Sequence, residues 1–157
     1  GSCSWNTMRA RHCNWVRLRD RKSGAEFRVL DIHLDHKSDD ARREQMKMIV
    51  GECAQYADGF PQIICGDFNS GIENAPVACL RDAGWQEAYE AVHGPGEAGF
   101  TYHGFKGPDY RKKNARRIDF IFVRGNLQPV AAEILRDKVD GLYPSDHYFL
   151  MSDFIIQ

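Results

Sequence analysis

The sequence predicts a layered α/β domain with a mixed sheet, and three observations carry that expectation. Two alternating apolar–polar segments, residues 13–19 and 27–34, flank a turn-rich stretch, as the strands of a hairpin do. An amphipathic helical segment then leads into a short apolar run, giving a β-α-β unit. Strand-like segments fill most of the chain from residue 117 onward.

Taken in order, residues 13–19 alternate as a half-buried strand, Arg21-Lys22-Ser23-Gly24 supplies the turn, and residues 27–34 return. Ser38-Asp39-Asp40 is a helix start that sets acids near the positive end of the helix. Met46, Ile49, Val50, Cys53 and Ala57 repeat behind it at helical spacing, and Asp58-Gly59 ends the segment. Residues 61–65 read as a buried strand running into Gly66-Asp67-Phe68-Asn69. A short helix follows, with Pro76 in its first turn and Gly84 past its end. Residues 93–116 have little periodicity and many Gly, aromatic and basic residues, and read as a long surface loop or pair of loops. Residues 117–123, 130–135 and 148–156 read as strands, the last after the loop Tyr143-Pro144-Ser145-Asp146-His147.

The 157 residues suffice for one domain with a real core, and 43% apolar with 27% charged residues is an ordinary globular composition. A net charge of -1 rules out a global basic excess, so an anionic substrate would be held by local charge. No apolar run approaches the roughly 20 residues of a membrane span. No signal peptide is visible, but the chain does not begin with Met, which leaves the compartment open. The five cysteines show neither a C-x-x-C pair nor a zinc spacing, and most are expected to be small core hydrophobes.

Four constellations bear on chemistry. Asp67 and Asn69 stand two apart just after a buried strand, so both can point to one side of the strand end. The carboxylate suits a hard cation or an attacking water, and the amide can donate to a phosphate oxygen; the same pair also suits a simple Asx turn. Asp146 and His147 put an acid beside an imidazole in a loop, where histidine can exchange a proton near neutral pH or, charged, steady a phosphoryl group. A lone histidine is equally at home as a structural hydrogen-bonder. Asp119 points away from the apolar face carrying Phe120 and Phe122. Beside a histidine it would fix the tautomer and raise the imidazole pKa; at the surface it would pair with Arg117. His33-Leu34-Asp35-His36 lies at a strand end and lacks the further ligands of a recognisable zinc site.

In this order and context, His33-Leu34-Asp35-His36, Gly66-Asp67-Phe68-Asn69, Arg117-Ile118-Asp119-Phe120-Ile121 and Ser145-Asp146-His147-Tyr148 resemble the later motifs of the endonuclease/exonuclease/phosphatase superfamily. That group includes pancreatic-type deoxyribonuclease, apurinic endonucleases, neutral sphingomyelinases and inositol polyphosphate phosphatases. The resemblance runs from about Trp5 to the last residue. It implies a four-layer α/β sandwich of the deoxyribonuclease-like type, here lacking its first strands. Residues 1–157 would be a single domain, the C-terminal part of an endonuclease/exonuclease/phosphatase domain. The implied activity is metal-dependent phosphoester hydrolysis, as a phosphodiesterase, nuclease or phosphatase, with Mg²⁺ as cofactor and Mn²⁺ as an alternative. Carried over by motif, His33 contacts the scissile phosphate, Asp67 positions or activates the attacking water, and Asn69 holds the phosphate. Asp119 orients His147, which is general base or phosphate stabiliser, and Asp67, Asn69 and Asp146 form the metal region. The physical requirements agree: an activated water, a divalent ion and donors on the equatorial oxygens.

The departures are specific. The family opens with a strand carrying an Asn and a later strand carrying a metal-binding Glu; nothing before Trp5 matches them, and Glu26, Glu44 and Glu73 lack the context to replace that Glu. Phe149 stands where the family commonly has Pro. His147 directly after Asp146 disfavours the inositol polyphosphate branch, where an Arg follows. No apolar membrane-inserting hairpin favours a sphingomyelinase. Residues 101–107 with Arg111, Lys112, Lys113, Arg116 and Arg117 are basic and aromatic, look like a broad group of bacterial members, and are expected to rim the site. His103, Lys106 and Arg117 are the expected substrate contacts, for a phosphate ester with nucleic acid or nucleotide as the first reading. The alternative is a catalytically inactive fragment or phosphate-binding module on the same fold. Alone, the chain is expected to be weak or inactive with Mg²⁺ and to self-associate through the face left open by missing strands.

Overall fold

The computed structural model describes residues 3–96, 98–110, 113 and 115–157. Strand β1 (Cys13–Arg19) pairs antiparallel with β2 (Glu26–His33) in unbroken register, from Cys13 opposite Ile32 to Arg19 opposite Glu26. The turn between them is tied by Asp20, whose carboxylate accepts from the Ser23 amide and hydroxyl. Helix α1 (Asp39–Cys53) begins where the Ser38 hydroxyl accepts the Ala41 amide, the capping expected of a serine there. It carries the chain back so that β3 (Gln62–Asp67) lies parallel to β2. Helix α2 (Ala75–Asp82), the two-residue β4 (Gln86–Glu87) and helix α3 (Ala88–His93) follow. After the loop region, β5 (Asp119–Arg124) enters antiparallel to β3, and the first sheet is ordered β1-β2-β3-β5-β4. Strands β6 (Leu127–Leu135) and β7 (Phe149–Ile156) form a second, antiparallel sheet with a register shift between Pro129 and Ala131.

Alternation in the central strands serves two cores. Leu30, Ile32, Ile64, Phe120 and Phe122 face one way, against Met46, Ile49 and Cys53 of α1 and Val77 and Leu80 of α2. Val29, Ile63 and Val123 face the other way, against Leu127, Phe154 and Ile156 of the second sheet. Each fully buried Phe or Leu here contributes roughly 1.5–3 kcal/mol, so β2, β3 and β5 are the rigid centre. The architecture is the expected mixed α/β sandwich, with two sheets face to face and α1 and α2 outside. Among the described residues, no helix is long and apolar enough to cross a membrane.

Four expectations change. Strand β1 is exposed at every position and not half-buried, because it ends the sheet and neither face meets a packed element. Helix α1 stops at Cys53, short of Ala57. Residues 93–116 are not all surface: Thr101 and His103 are fully buried, held under the segment that precedes β7. Of the cysteines, only Cys53 is a fully buried core residue; Cys65 and Cys79 are half-buried, and Cys3 and Cys13 are exposed. Elements β4 and α3 lay outside the sequence reading, being too short to show a period.

Candidate active site

Three neighbouring strands bring three site residues into one row. In the parallel pairing of β2 with β3, His33 stands opposite Asp67; in the antiparallel pairing of β3 with β5, Asp67 stands opposite Asp119. Directly opposed residues share a face of the sheet, so the register alone assembles an imidazole and two carboxylates. His33 Nε2 lies 3.4 Å from Asp67 Oδ2 and is well exposed, while Asp67 is mostly covered. His147 joins from the loop before β7, its Nδ1 2.9 Å from Asp119 Oδ2. Donor atoms of Asp67, Asp119 and His147 all lie within 4.8 Å of one another.

The backbone around this row is tightly constrained. Gly66 has φ +133°, and a Cβ there would run into the Ile32 carbonyl oxygen, so only glycine lets β3 approach β2 this closely. Asn69 takes φ +49°; its amide N–H donates to Asp67 Oδ1 at 2.7 Å, and its Nδ2 donates to the Leu34 carbonyl at 3.0 Å. The Leu34 amide in turn donates to the Asp67 carbonyl, locking the ends of β2 and β3 together. The Thr101 hydroxyl accepts from the Ile118 and Asp119 amides, at 3.1 and 3.3 Å, and fixes the entry of β5. Tyr102 bridges to His147 and sets its ring edge-on to the imidazole, centroids 5.1 Å apart.

The charges are set against one another. Burial, then the neighbouring Asp119 carboxylate, push the Asp67 pKa up. The hydrogen bond that the His147 ring donates to the Asp119 carboxylate is the main cause that raises the His147 pKa. Two carboxylates held this close disfavour each other's ionised form, a condition that a divalent cation would relieve. Two carboxylates and an imidazole this close together could hold a divalent ion.

The remaining sequence candidates fall elsewhere. Asp146 contributes its backbone carbonyl, which accepts from the His103 and Gly104 amides, and its carboxylate lies outside the mutually close donor group. His103 is fully buried between the rings of Tyr143 and Tyr148, at 4.5 and 4.2 Å, which lowers its pKa by desolvation. Arg117 is buried too, in a two-point ion pair with Glu87 at 3.1 and 3.2 Å. Neither is placed to meet a substrate, which corrects the expectation for both; Lys106 is exposed on its loop. Arg111 and Lys112 lie outside the described residues. Thr101 and Tyr102 are individual supports of the row that a stretch rich in Gly and aromatic residues does not single out by pattern.

The model of the Endonuclease/Exonuclease/phosphatase family matches residues 5–147, and the chain belongs to that family. No curated protein sequence matches. Among solved structures, the chain is similar to the Bacteroides thetaiotaomicron mannosyl-6-phosphatase Bt3783 (TM-score 0.83, 22% identity, covering 98% of this chain and 60% of that one). It is also similar to the human Nocturnin catalytic domain with bound sulfate (0.76, 22%, 94% and 53%). The D. rerio TDP2 structure complexed with a single-strand DNA product is a third (0.69, 18%, 91% and 62%). At these identities the likeness establishes the fold, which is of the deoxyribonuclease-like type. The chain spans between 53% and 62% of the length of these three structures.

Proposed function

We propose that this chain carries the catalytic residues of a divalent-metal-dependent phosphoester hydrolase. The observation that supports it most is the Asp119–His147 pair at 2.9 Å, set beside an Asp67 whose pKa is raised. In this reading Asp67 receives the attacking water's proton or aligns the water, and Asp119 holds the His147 ring so that Nε2 faces the substrate. His147, charged through Asp119, steadies the phosphoryl oxygens, and exposed His33 contacts them from the other side. Asn69, pinned through Leu34, orients the phosphate. Asp67, whose carboxylate belongs to the mutually close donor group, would hold Mg²⁺ or Mn²⁺, which when bound would neutralise phosphate charge and lower the pKa of water.

The substrate is a phosphate ester, with a nucleic acid or nucleotide as the first reading. Tyr102 packs on His147, and Phe105 and Lys106 are exposed on the loop that follows it, an aromatic face and a cation that such a substrate could use. Turnover by this chain alone is expected to be low. The test is hydrolysis of bis-p-nitrophenyl phosphate and of single-stranded DNA with Mg²⁺ or Mn²⁺. Asp67→Ala and His147→Ala should each lower the rate by about 10²–10⁴. Metal-dependent turnover that survives both substitutions overturns the proposal, as does neither turnover nor a metal-induced rise in melting temperature.

A further inference from the structure

The turn that follows Tyr102 holds an aromatic residue in a backbone conformation that suits glycine. The Lys106 amide donates to the His103 carbonyl at 2.9 Å, closing a β-turn whose central residues, Gly104 and Phe105, have φ +54° and +62°. Positive φ at both positions is the pattern of a type I′ turn, which Asn-Gly or Gly-Gly fills with little strain. A bulky side chain at the second position is strained, because its Cβ crowds the following carbonyl oxygen. Of the other described non-glycine residues with positive φ, Asn6, Asn69 and Asp140 are types that tolerate it, and Trp5 lies in the irregular segment before β1.

Packing does not offset the strain. The Phe105 ring is 63% exposed and belongs to neither apolar core. The turn is nonetheless firmly held. His103, fully buried between Tyr143 and Tyr148, accepts the Gly107 amide through Nδ1 at 3.2 Å. Gly107, at φ +57°, lies so close to Tyr143 that a Cβ would strike the phenol oxygen. The His103 and Gly104 amides donate to the Asp146 carbonyl at 2.8 and 3.1 Å, and Tyr102 bridges to His147. The ring is thus carried on a frame tied to the loop that bears His147. Phe105 is three residues beyond Tyr102, a reach of at most about 11 Å along the chain. A strained conformation that the surroundings impose, with no burial in exchange, is a mark of a ligand-binding position.

Building on the hydrolase reading above, we propose that Phe105 is the stacking platform for the nucleobase of a nucleotide ester whose phosphate lies at His147, and that it selects esters carrying a base over those without one. Every base has a flat apolar face, so the selection is indifferent to which base is present.

The test compares thymidine 5′-monophosphate with deoxyribose 5-phosphate, the same ester without its base, by NMR titration of the chain with Mg²⁺. The parent should bind the nucleotide about tenfold more tightly. Phe105→Ala keeps the Cβ and removes the ring, and should bring the two affinities to within about twofold of each other. Phe105→Trp should restore the preference. Phe105→Gly should also lose the preference, yet raise the melting temperature by about 2–4 °C, because it relieves the turn. A residue that served only the fold would not combine higher stability with lost base preference. No base preference in the parent, a preference that survives Phe105→Ala, or a melting temperature lowered by Phe105→Gly each overturns the inference. Base preference through Phe105 without metal-dependent turnover of bis-p-nitrophenyl phosphate supports the stacking site and removes the hydrolase reading. Turnover without base preference does the reverse.

Discussion

Strands β3 and β1 belong to the same sheet and meet opposite fates. Strand β3 lies between β2 and β5, with α1 and α2 on one face and the second sheet across the other, and it ends at Asp67. Strand β1 alternates just as regularly, yet every residue of it is exposed. The difference is in neighbours and not in pattern. The acid–histidine row lies where the backbone is fixed from both sides, by Gly66, the Leu34–Asp67 hydrogen bond and the Thr101 hydroxyl. The strand with one neighbour carries none of it.

That contrast can be broken first at Gly66. Gly66→Ala would force the β2 and β3 backbones apart, and should destabilise the fold by about 4 kcal/mol, read from the urea midpoint at constant m-value. Glu87→Gln comes next. It leaves the buried Arg117 guanidinium without its counter-charge and should cost about 3 kcal/mol, whereas the same change at the exposed Glu133 should be nearly silent.

The site itself should show in the pH dependence of the metal-free protein. Asp67 has a raised pKa, so its ionised form is penalised in the fold; stability drops as pH rises from the ordinary carboxylate range through the raised value. His147 is also raised, so its pairing with Asp119 stabilises fully below the ordinary imidazole value of about 6.5 and is lost as pH climbs through the folded value. Both contributions run the same way. The metal-free melting temperature should fall from mildly acidic to mildly alkaline pH, and Asp67→Asn should flatten the acidic part and raise the melting temperature at neutral pH. Added Mg²⁺ should recover stability in the parent chain and not in the variant. At the small end, Leu18→Ala on β1 should change the stability of the isolated chain by less than about 0.5 kcal/mol.

Much of this was legible in the sequence. The hairpin, α1, β3, β5 and β7 declared themselves by period, and the family resemblance pointed to His33, Asp67, Asn69, Asp119 and His147, of which strand register and the loop before β7 bring His33, Asp67, Asp119 and His147 together. Burial of a given strand was not legible, because alternation in residues 13–19 says what a strand could bury and not whether anything covers it. Arg117 looked like a rim cation because its partner, Glu87, is 30 residues away on a two-residue strand that leaves no pattern. His103 was misplaced for a related reason: a loop rich in Gly and aromatics reads the same whether it covers the site or is packed beneath its neighbour.

The row at the strand ends also fixes when the site can exist during folding. Asp119 and His147 are 28 residues apart, and the Asn69 amide reaches back 35 residues to Leu34. None of these contacts forms within a single helix or hairpin, so each waits on closure of a long loop and on assembly of β2, β3 and β5. Assembly of the acid–histidine row should therefore lag the recovery of helical signal during refolding and appear with the final sheet contacts, as a late and all-or-none event.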